Sequence, residues 1–356
     1  MRDFTKAGVA VVPPYLSPRW DAEAAVILDT LDSYHRHAAS YREITGLDDG
    51  QTAATLRDDL RSIAPSMAAF VDHLIAALQA GGCAAYVPEL GLGAFDPDRR
   101  ARLLYALAAL IGNPSPTDAR EGRILWDVMP RQTAGNYYAT FSEHDGEAAF
   151  HTDTQYYPVP ERWIALYVMT PAGCGGGLSV LCDGEAVRGT LDRAETRWAL
   201  SLLESEPLPF RVPSVFATDR RPGAVQATIA PIFSTCPGVR YRRDTLLDGW
   251  SHFPEYRSRE LEDAVRALEA ELAGSGHAVR FAMPQDSLLV ADNHRALHAR
   301  TGFADRRRHL LRVRMRGDEP RNAAAFPMLT RLQATVPAGS FHPRREDAHI
   351  LPNSAR

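Results

Sequence analysis

The chain is poor in cysteine and lacks a long apolar run. Its 356 residues include four cysteines, at positions 83, 174, 182 and 236, and none belongs to a CxxC pair. So sparse a set excludes a disulfide scaffold and fits a reducing compartment, so we expect a cytoplasmic protein. A metal pair on Cys174 and Cys182 is a weaker alternative to free thiols. No stretch reaches the roughly 18 residues of a membrane span, and the N-terminus does not resemble a signal peptide.

A large excess of charge of one sign is also missing. The 40 basic and 44 acidic residues leave a net charge of −4. This balance argues against nucleic acid or a membrane surface as partner, and we expect a small-molecule substrate instead. The 45% hydrophobic and 24% charged content is that of a globular protein with one large domain or two. The oligomeric state is not determined, so a homo-oligomer remains an open alternative.

Helical periodicity dominates the first 120 residues. Apolar residues recur at helical spacing over 19–39, 52–64 and 67–80, with Pro65 and Gly81-Gly82 as end signals. The stretch 96–112 is a further helix, in which Asp96 is the expected N-cap, Pro97 the first helical residue and Gly112 the stop.

From about residue 123 the pattern changes to short β-prone runs separated by turn residues, and the predicted strands include 136–142 and 239–243. This is typical of an antiparallel sandwich or barrel. One long helical stretch, 257–274, interrupts it. Because no linker separates the two parts, we predict one domain with a helical N-terminal support at 1–120 and a β-core at 121–320. Residues 321–356 are expected to form a C-terminal extension with a loose tail.

His151 and Asp153 are candidate metal ligands because residues i and i+2 of a strand point to the same face. With 12 histidines and 44 acidic residues, chance alone gives about 1.5 such triplets per chain, so spacing decides nothing. A surface hydrogen-bonding pair is the common alternative. A third ligand is available at 284–301, where His294 and His298 follow an apolar strand. Two histidines and one carboxylate form the facial triad of non-haem Fe(II) oxygenases.

Five motifs in order give this part of the chain a family resemblance. From about residue 120 to 316 it resembles the taurine dioxygenase/clavaminate synthase-like superfamily of Fe(II)- and 2-oxoglutarate-dependent oxygenases. The motifs are HTD at 151–153, GGLS at 176–179, a P-x-D turn at 284–286, DNHRALHAR at 292–300 and RRHLLR at 307–312. The resemblance implies a double-stranded β-helix (jelly roll), mainly β with α, supported by the N-terminal helices and the one long inserted helix.

The resemblance also implies a set of site residues. His151, Asp153 and His298 would bind iron, since His298 occupies the histidine slot of the D-N-x-R-x-x-H motif and His294 a variable position. Iron would use 2-oxoglutarate and O2 as co-substrates, releasing succinate and CO2. A carboxylate at 153 implies hydroxylation, with desaturation or epoxidation as alternatives, because halogenating relatives have Gly or Ala there.

Arg308 matches the arginine that holds the far carboxylate of 2-oxoglutarate in this family. A guanidinium suits that task because its planar fork gives bidentate, charge-assisted hydrogen bonds. Ser179 replaces the usual Thr hydroxyl beside it. Arg312, four residues on, often grips an anionic group of the substrate in relatives. The alternative is that the neighbouring arginines merely line a solvated edge: Arg306, Arg312, Arg314 and Arg316.

The substrate is predicted only in outline. The stretch 135–150 and the residues Gln155, Tyr156 and Tyr157 flank the HTD motif and are expected to line the pocket, although a structural role for each is at least an equal alternative. Such side chains suit a small polar molecule. If Arg312 faces the site, a carboxylate-bearing substrate such as an amino acid leads, and a specialised metabolite is the other class. A substrate that carries an amine could bind it to Glu143 or Asp145. The substrate could be free or tethered to a carrier protein.

Two readings from other classes remain. A non-catalytic jelly-roll protein could bind a small ligand without turnover, but decay of the triad or of Arg308 would then be expected. A zinc hydrolase could use the same three ligands, yet it would need a general base beside an open zinc position. It would also leave Ser179 and Arg308 without a purpose.

Overall fold

The computed structural model describes residues 4–47, 50–117, 122–131, 140–274, 276–317 and 325–332. Eight α-helices lie in these ranges: α1 Trp20–Tyr34, α2 Gly50–Ile63, α3 Pro65–Gln79, α4 Pro97–Ile111, α5 Gly184–Leu191, α6 Arg197–Ser205, α7 Arg243–His252 and α8 Arg259–Gly274. The described strands are β1 Val9–Val11, β2 Ala84–Val87, β3 Asn113–Ser115, β4 Trp126–Val128, β5 Ala148–His151, β6 Trp163–Thr170, β7 Ser179–Asp183, β8 Leu208–Arg211, β9 Ala224–Ala230, β10 Ala278–Phe281, β11 Leu288–Asp292, β12 Ala296–Arg300, β13 His309–Arg316 and β14 Met328–Leu332.

Helices α1 to α4 occupy the four segments in which the sequence predicts them. At the start of α4 the side chain of Asp96 accepts hydrogen bonds from the backbone N–H groups of Asp98 and Arg99. Pro97 is the first helical residue, where its missing N–H costs nothing, and Gly112 follows the last turn. The predicted capping of this helix is confirmed.

Two sheets form the centre of the molecule. The larger has the order β1-β2-β11-β6-β13-β3, with β4 also paired to β13, and the smaller has the order β10-β7-β12-β5. Their facing sides share one apolar cluster, which includes Val168, Leu289 and Leu310 from the larger sheet and Leu181 and Phe281 from the smaller. Two mainly antiparallel sheets packed in this way make a jelly roll, which confirms the predicted fold class.

Each sheet is covered on its outer side by helices. Tyr167, Val290 and Val313 of the larger sheet lie in the cluster that contains the buried faces of α1 to α4. Cys182 and Leu297 of the smaller sheet pack with α5, α6 and α8. Because side chains alternate along a strand, each strand contributes to both the inner and the outer cluster.

The segment between β7 and β10 contains more secondary structure than the sequence predicts. The long helix is present as α8, but α5, α6 and α7 also form, and β14, β9 and β8 make a third sheet. The strand prediction for 239–243 is wrong. Val239 and Arg242 form only isolated bridges, and α7 begins at Arg243. Arg240 is fully buried there, and its guanidinium donates to backbone carbonyls beyond the HTD motif, at Gln155, Tyr157 and Pro158.

The domain boundaries stay a prediction. The N-terminal part adds β1 and β2 to the larger sheet as well as helices. Most of the predicted strand at 136–142 and the tail after residue 332 lie outside the described residues. No helix in the described ranges combines the length and the apolar character that crossing a bilayer requires.

The P-x-D turn has a structural role. Asp286 is buried with φ at +67°, and its carboxylate accepts hydrogen bonds from the N–H groups of Gly91 and Leu92 and from the Tyr167 hydroxyl. It thereby ties the loop after β2 to the larger sheet.

Replacing Asp286 with Ala should therefore lower the free energy of unfolding by about 3 kcal/mol, because three donors, two of them buried, lose their acceptor and Ala tolerates positive φ poorly. Urea denaturation measures the change. Asp72→Ala is the control, because Asp72 forms an exposed ion pair with Arg61 whose loss costs only about 0–1 kcal/mol. Equal losses in the two variants would contradict the role assigned to Asp286.

Candidate active site

Two histidines meet across the ladder between β5 and β12. The antiparallel register places His151 directly opposite His298, and their ring centroids are 4.2 Å apart. Both residues lie at the interface between the two sheets, where His151 is only 5% exposed. Strand pairing therefore joins the two parts of the sequence in which ligands are predicted.

Asp153 completes the group, but not by strand alternation as the sequence suggests. β5 ends at His151, and Asp153 lies in the following turn, where Thr154 adopts a positive φ of 51°. One carboxylate oxygen, Oδ1, is 3.7 Å from Nε2 of His151 and 3.8 Å from Nε2 of His298. Ligand atoms of the three residues all lie within 4.8 Å of one another. Two imidazole nitrogens and one carboxylate oxygen on one side fit a divalent metal with open positions.

The protonation states also suit a metal. Nδ1 of His151 lies 2.8 Å from the backbone oxygen of Ala149 and donates to it, so Nε2 keeps its lone pair for the site. Burial lowers the pKa of both His151 and His298, which favours the neutral form that binds metal. Burial has the largest single effect and raises the pKa of the Asp153 carboxyl, but the nearby positive charges, with Arg312 foremost, together outweigh it and hold the pKa well below its usual range.

Asn293 holds the backbone of Asp153 from both sides. Its Oδ1 accepts from the Asp153 N–H at 2.7 Å, and its Nδ2 donates to the Asp153 carbonyl at 2.9 Å. The same amide nitrogen also donates to the carbonyl of Glu161 at 2.8 Å. Glu161 in turn accepts from the hydroxyl of Thr154 at 2.5 Å. These contacts hold the turn that aims the Asp153 side chain.

His294 lies beside this turn and serves a structural purpose. It is buried, and its Nε2 lies 3.0 Å from the carbonyl of Pro160. The structure thus places His298, and not His294, with the other two ligand candidates, as the motif position implies.

A small cavity of about 80 Å³ opens beside the histidines and contains Ser179 and Arg308 in its wall. Arg308 is 5% exposed, and its Nη1 has no hydrogen-bond partner within the described residues. Burial lowers its pKa to about 10, which leaves the guanidinium charged at neutral pH. A buried cation with an unmet donor is costly, so it marks a place for an anion.

Arg300 shares this cavity, but both of its Nη atoms already have partners. Its guanidinium donates to the carbonyls of Phe141, His144 and Gly146. The Ser179 hydroxyl donates to Met283 Sδ at 3.2 Å, a weak acceptor that a ligand oxygen can replace. Carbonyl groups already bind the Nη atoms of Arg300, whereas Nη1 of Arg308 has no partner in the described residues, so Arg308 is the cation that an anionic ligand would contact.

The GGLS motif has a steric explanation. Gly177 has a φ of +68°, and a Cβ there would lie 2.9 Å from Nε of Arg308. Glycine is therefore required at this position to let the guanidinium lie against the backbone. The motif and the arginine form one unit although 131 positions separate them in the chain.

A larger cavity of about 230 Å³ lies on the other side of the candidate ligands. Both cavities include His151, Asp153 and Arg312 in their walls. Nη1 of Arg312 lies 3.0 Å from Oδ2 of Asp153, so this arginine faces the site. Glu143 also lines the larger cavity, with an oxygen 3.5 Å from Nη1 of Arg131.

The other two predicted substrate residues lie behind this wall. Gln155 is fully buried, and its amide donates to the hydroxyl of Thr245. Tyr157 packs its ring against that of Tyr156 at 4.9 Å, and it is Tyr156 that lines the cavity. Asp145 is partly buried, and its Oδ2 lies 3.4 Å from Nη1 of Arg306.

Sequence reasoning missed several residues of this wall. They are Thr117, Arg123, Trp126, Arg131, Thr154, Pro213, Val215, Phe216, Arg242 and Arg314, whereas Thr140, Phe141 and Ser142 belong to the stretch 135–150 that is expected to line the pocket. Arg314 could have been predicted from the alternation of side chains along a strand, because it lies two positions after Arg312 on β13 and so points to the same face. The residues around Phe216 give no signal, since they belong to an irregular part of the inserted segment.

The interior of this jelly roll contains two histidines and a carboxylate next to a buried arginine. These are features of the mononuclear non-haem iron oxygenases. The chain belongs to the taurine catabolism dioxygenase TauD, TfdA family, whose model matches residues 44–314. The resemblance found in the sequence and the enzyme class, an oxygenase, are thereby confirmed. A search of curated protein sequences finds no match.

Solved structures of low identity share the fold. An asparagine oxygenase in complex with Fe(II), 2S,3S-3-hydroxyasparagine and succinate is 14% identical, with a TM-score of 0.60 over 89% of this chain and 98% of that one. The non-heme iron oxygenase OrfP in complex with Fe and alpha-ketoglutaric acid is 16% identical, with a TM-score of 0.56 over 87% and 94%. OrfP with Fe, succinate and (3S)-hydroxy-L-Arg is 18% identical, with a TM-score of 0.55 over 89% and 98%.

The contacts of Asn293 generate a test of the metal centre. Asn293→Ala should weaken Fe(II) binding by roughly 10- to 100-fold, because the turn that aims Asp153 loses its support. Anaerobic metal titration measures the affinity, and circular dichroism checks the fold. His294→Ala is the matched control, since it removes a neighbouring contact of the same turn without touching Asp153. If both variants bind metal as the wild type does, Asn293 does not position the ligand.

Proposed function

We propose that this protein is an Fe(II)- and 2-oxoglutarate-dependent dioxygenase that hydroxylates a C–H bond of a small amino acid. The observation that carries the proposal is the buried Arg308, whose Nη1 is unpaired in the described chain and lines the same small cavity as His151, Asp153 and His298. Family membership supports the dioxygenase chemistry.

His151, Asp153 and His298 would hold Fe(II), because two neutral imidazoles and one carboxylate are a suitable donor set with positions left open. When bound, the iron supplies the redox chemistry that couples oxidation of 2-oxoglutarate by O2, to succinate and CO2, with hydroxylation of the substrate. The protein itself keeps the two histidines neutral and Asp153 ionised, and it places the two cavities on either side of the metal ligands.

Arg308 would bind the far carboxylate of 2-oxoglutarate, with the Ser179 hydroxyl as a further donor. A carboxylate would satisfy the unmet Nη1 and neutralise the buried charge, so co-substrate binding removes a penalty that the free protein carries. Zinc hydrolysis leaves this arginine without a role, and a non-catalytic binding protein would not need three ligand candidates beside it.

The larger cavity would hold the substrate. Arg312 lines it and could bind an α-carboxylate, in exchange for part of its contact with Asp153, while Glu143 could accept from an α-amine. The volume of about 230 Å³ suits a free small molecule better than a carrier-tethered one. The complexes of asparagine oxygenase and OrfP with hydroxylated amino acids support this class. Gln155 and Tyr157 would support the wall from behind.

The carboxylate at 153 favours hydroxylation over halogenation, while desaturation or epoxidation would use the same ligands. A cytoplasmic location is proposed because none of the four cysteines is in a disulfide bond.

The test is anaerobic loading with Fe(II) followed by 2-oxoglutarate, with the visible charge-transfer band of the complex as readout. The wild type should form the band. His298→Ala should bind little iron, and Arg308→Gln should bind iron but need at least about 30-fold more 2-oxoglutarate, because a buried charge pair loses about 2 kcal/mol or more.

Arg307→Gln is the control for Arg308, because the adjacent side chain is 84% exposed and pairs with Asp305. It should titrate as the wild type does. Iron binding without any band in the wild type would contradict the co-substrate assignment, and no iron binding would favour the binding-protein alternative.

A further inference from the structure

Two polar groups in the wall of the larger cavity have no use in the proposed function. Thr117 is 1% exposed and Arg314 is 2% exposed, and both line this cavity. The Thr117 hydroxyl and the Arg314 Nε have no hydrogen-bond partner within the ranges that the structure describes. Buried polar atoms are normally paired, so these two indicate that a ligand with acceptor atoms binds here.

Strand geometry brings the two groups together beside Arg312. Arg314 follows Arg312 by two positions on β13, so both side chains point to the same face. Arg314 is paired with Ser115 of β3, and its Nη2 donates to the carbonyl of Thr117 at 2.7 Å. Two residues of extended chain span ~6.6 Å, a separation that the two carboxylates of a short dicarboxylic acid can bridge.

The surrounding charges leave room for an anion. Among the described residues, the cavity wall contains the basic side chains of Arg123, Arg131, Arg242, Arg312 and Arg314 but only two carboxylates, those of Glu143 and Asp153. Glu161 lies near Arg314 behind the wall, and its two oxygens accept from the hydroxyls of Ser115 and Thr154. Glu161 therefore stabilises the charge of Arg314 without accepting a hydrogen bond from its Nε.

We infer that the substrate is an amino acid whose side chain carries a second anionic group, a carboxylate or a phosphate, and that this group binds Arg314 and Thr117. The inference rests on the proposed function, in which Arg312 takes the α-carboxylate. The Arg314 Nε–H can only donate, and the Thr117 hydroxyl can donate to the same ligand, so both fit the acceptor oxygens of an anion. The excess of arginines over carboxylates in the cavity wall favours an anionic group over a neutral side-chain amide.

Calorimetry on the anaerobic protein, loaded with Fe(II) and 2-oxoglutarate, tests the inference without turnover. The ligands are matched pairs that differ in the charge of the side chain: aspartate and asparagine, glutamate and glutamine, phosphoserine and serine. At least one acidic member should bind tenfold or more tightly than its neutral partner. The pair that shows the preference identifies carboxylate or phosphate as the second group.

Three variants assign the preference to residues. Arg314→Gln should remove most of it, and Thr117→Val, which preserves the shape of the side chain, should reduce it about threefold or more. Arg316→Gln is the matched control, because Arg316 lies two positions further along the same face of β13 but is exposed. It should keep the wild-type preference.

The outcomes separate this inference from the proposed function. If the charge-transfer band forms but neutral members bind as tightly as acidic ones, or if no member of any pair binds, the anion subsite is wrong and the oxygenase assignment stands. If the preference survives in both Thr117→Val and Arg314→Gln, these residues do not form the subsite. If the band never forms, the proposed function fails first and the inference fails with it.

Discussion

The pairing of β5 with β12 is the contact on which the candidate site depends. It places His151 opposite His298 and leaves both imidazoles between the sheets. A slip of one residue would turn His298 to the other face of its strand and separate the pair. The register shifts between the pairs His298–His151 and Arg300–Ala148, so β5 has one extra residue directly before the ligand position, and such bulges are common near active sites.

The interior beside this pairing contains an unusual amount of buried charge. Arg308, Arg312, Arg314 and Asp153 are all buried or nearly so. Removing such charges from water is expensive, and the free energy comes from the apolar layers on either side, the cluster with α1 to α4 and the cluster with α5, α6 and α8. The helical layers thus permit a polar cavity between two sheets that would otherwise pack as a dry core.

The sequence predicted the site better than it predicted the surroundings of the site. Ordered motifs identified His151, Asp153, His298 and Arg308 because each carries chemistry at a characteristic spacing. The reason given for Asp153 was only half correct, since period-two alternation cannot reveal that the strand ends at His151. The turn that replaces it depends on Asn293, which is distant in sequence and becomes a neighbour only in the fold.

The cavity walls were the hardest part to predict. Gln155 and Tyr157 were predicted to line the substrate pocket because they are close to the HTD motif in sequence. After the turn, however, the chain places them behind Tyr156. Helices α5 to α7 have only eight to ten residues each and interrupt β-prone sequence, so their periodicity is short and easily misread. The sequence left open that Arg314 lies with Arg306, Arg312 and Arg316 along a solvated edge. Arg306 and Arg316 are exposed, but tertiary packing, which the sequence does not show, buries Arg314.

An anaerobic crystal structure with Fe(II) and 2-oxoglutarate, with iron located by anomalous scattering, tests the central claim most directly. The account predicts iron bound by His151, Asp153 and His298, and the far carboxylate of 2-oxoglutarate on Arg308. Iron bound by other residues, or that carboxylate on Arg312 or Arg314, would contradict it.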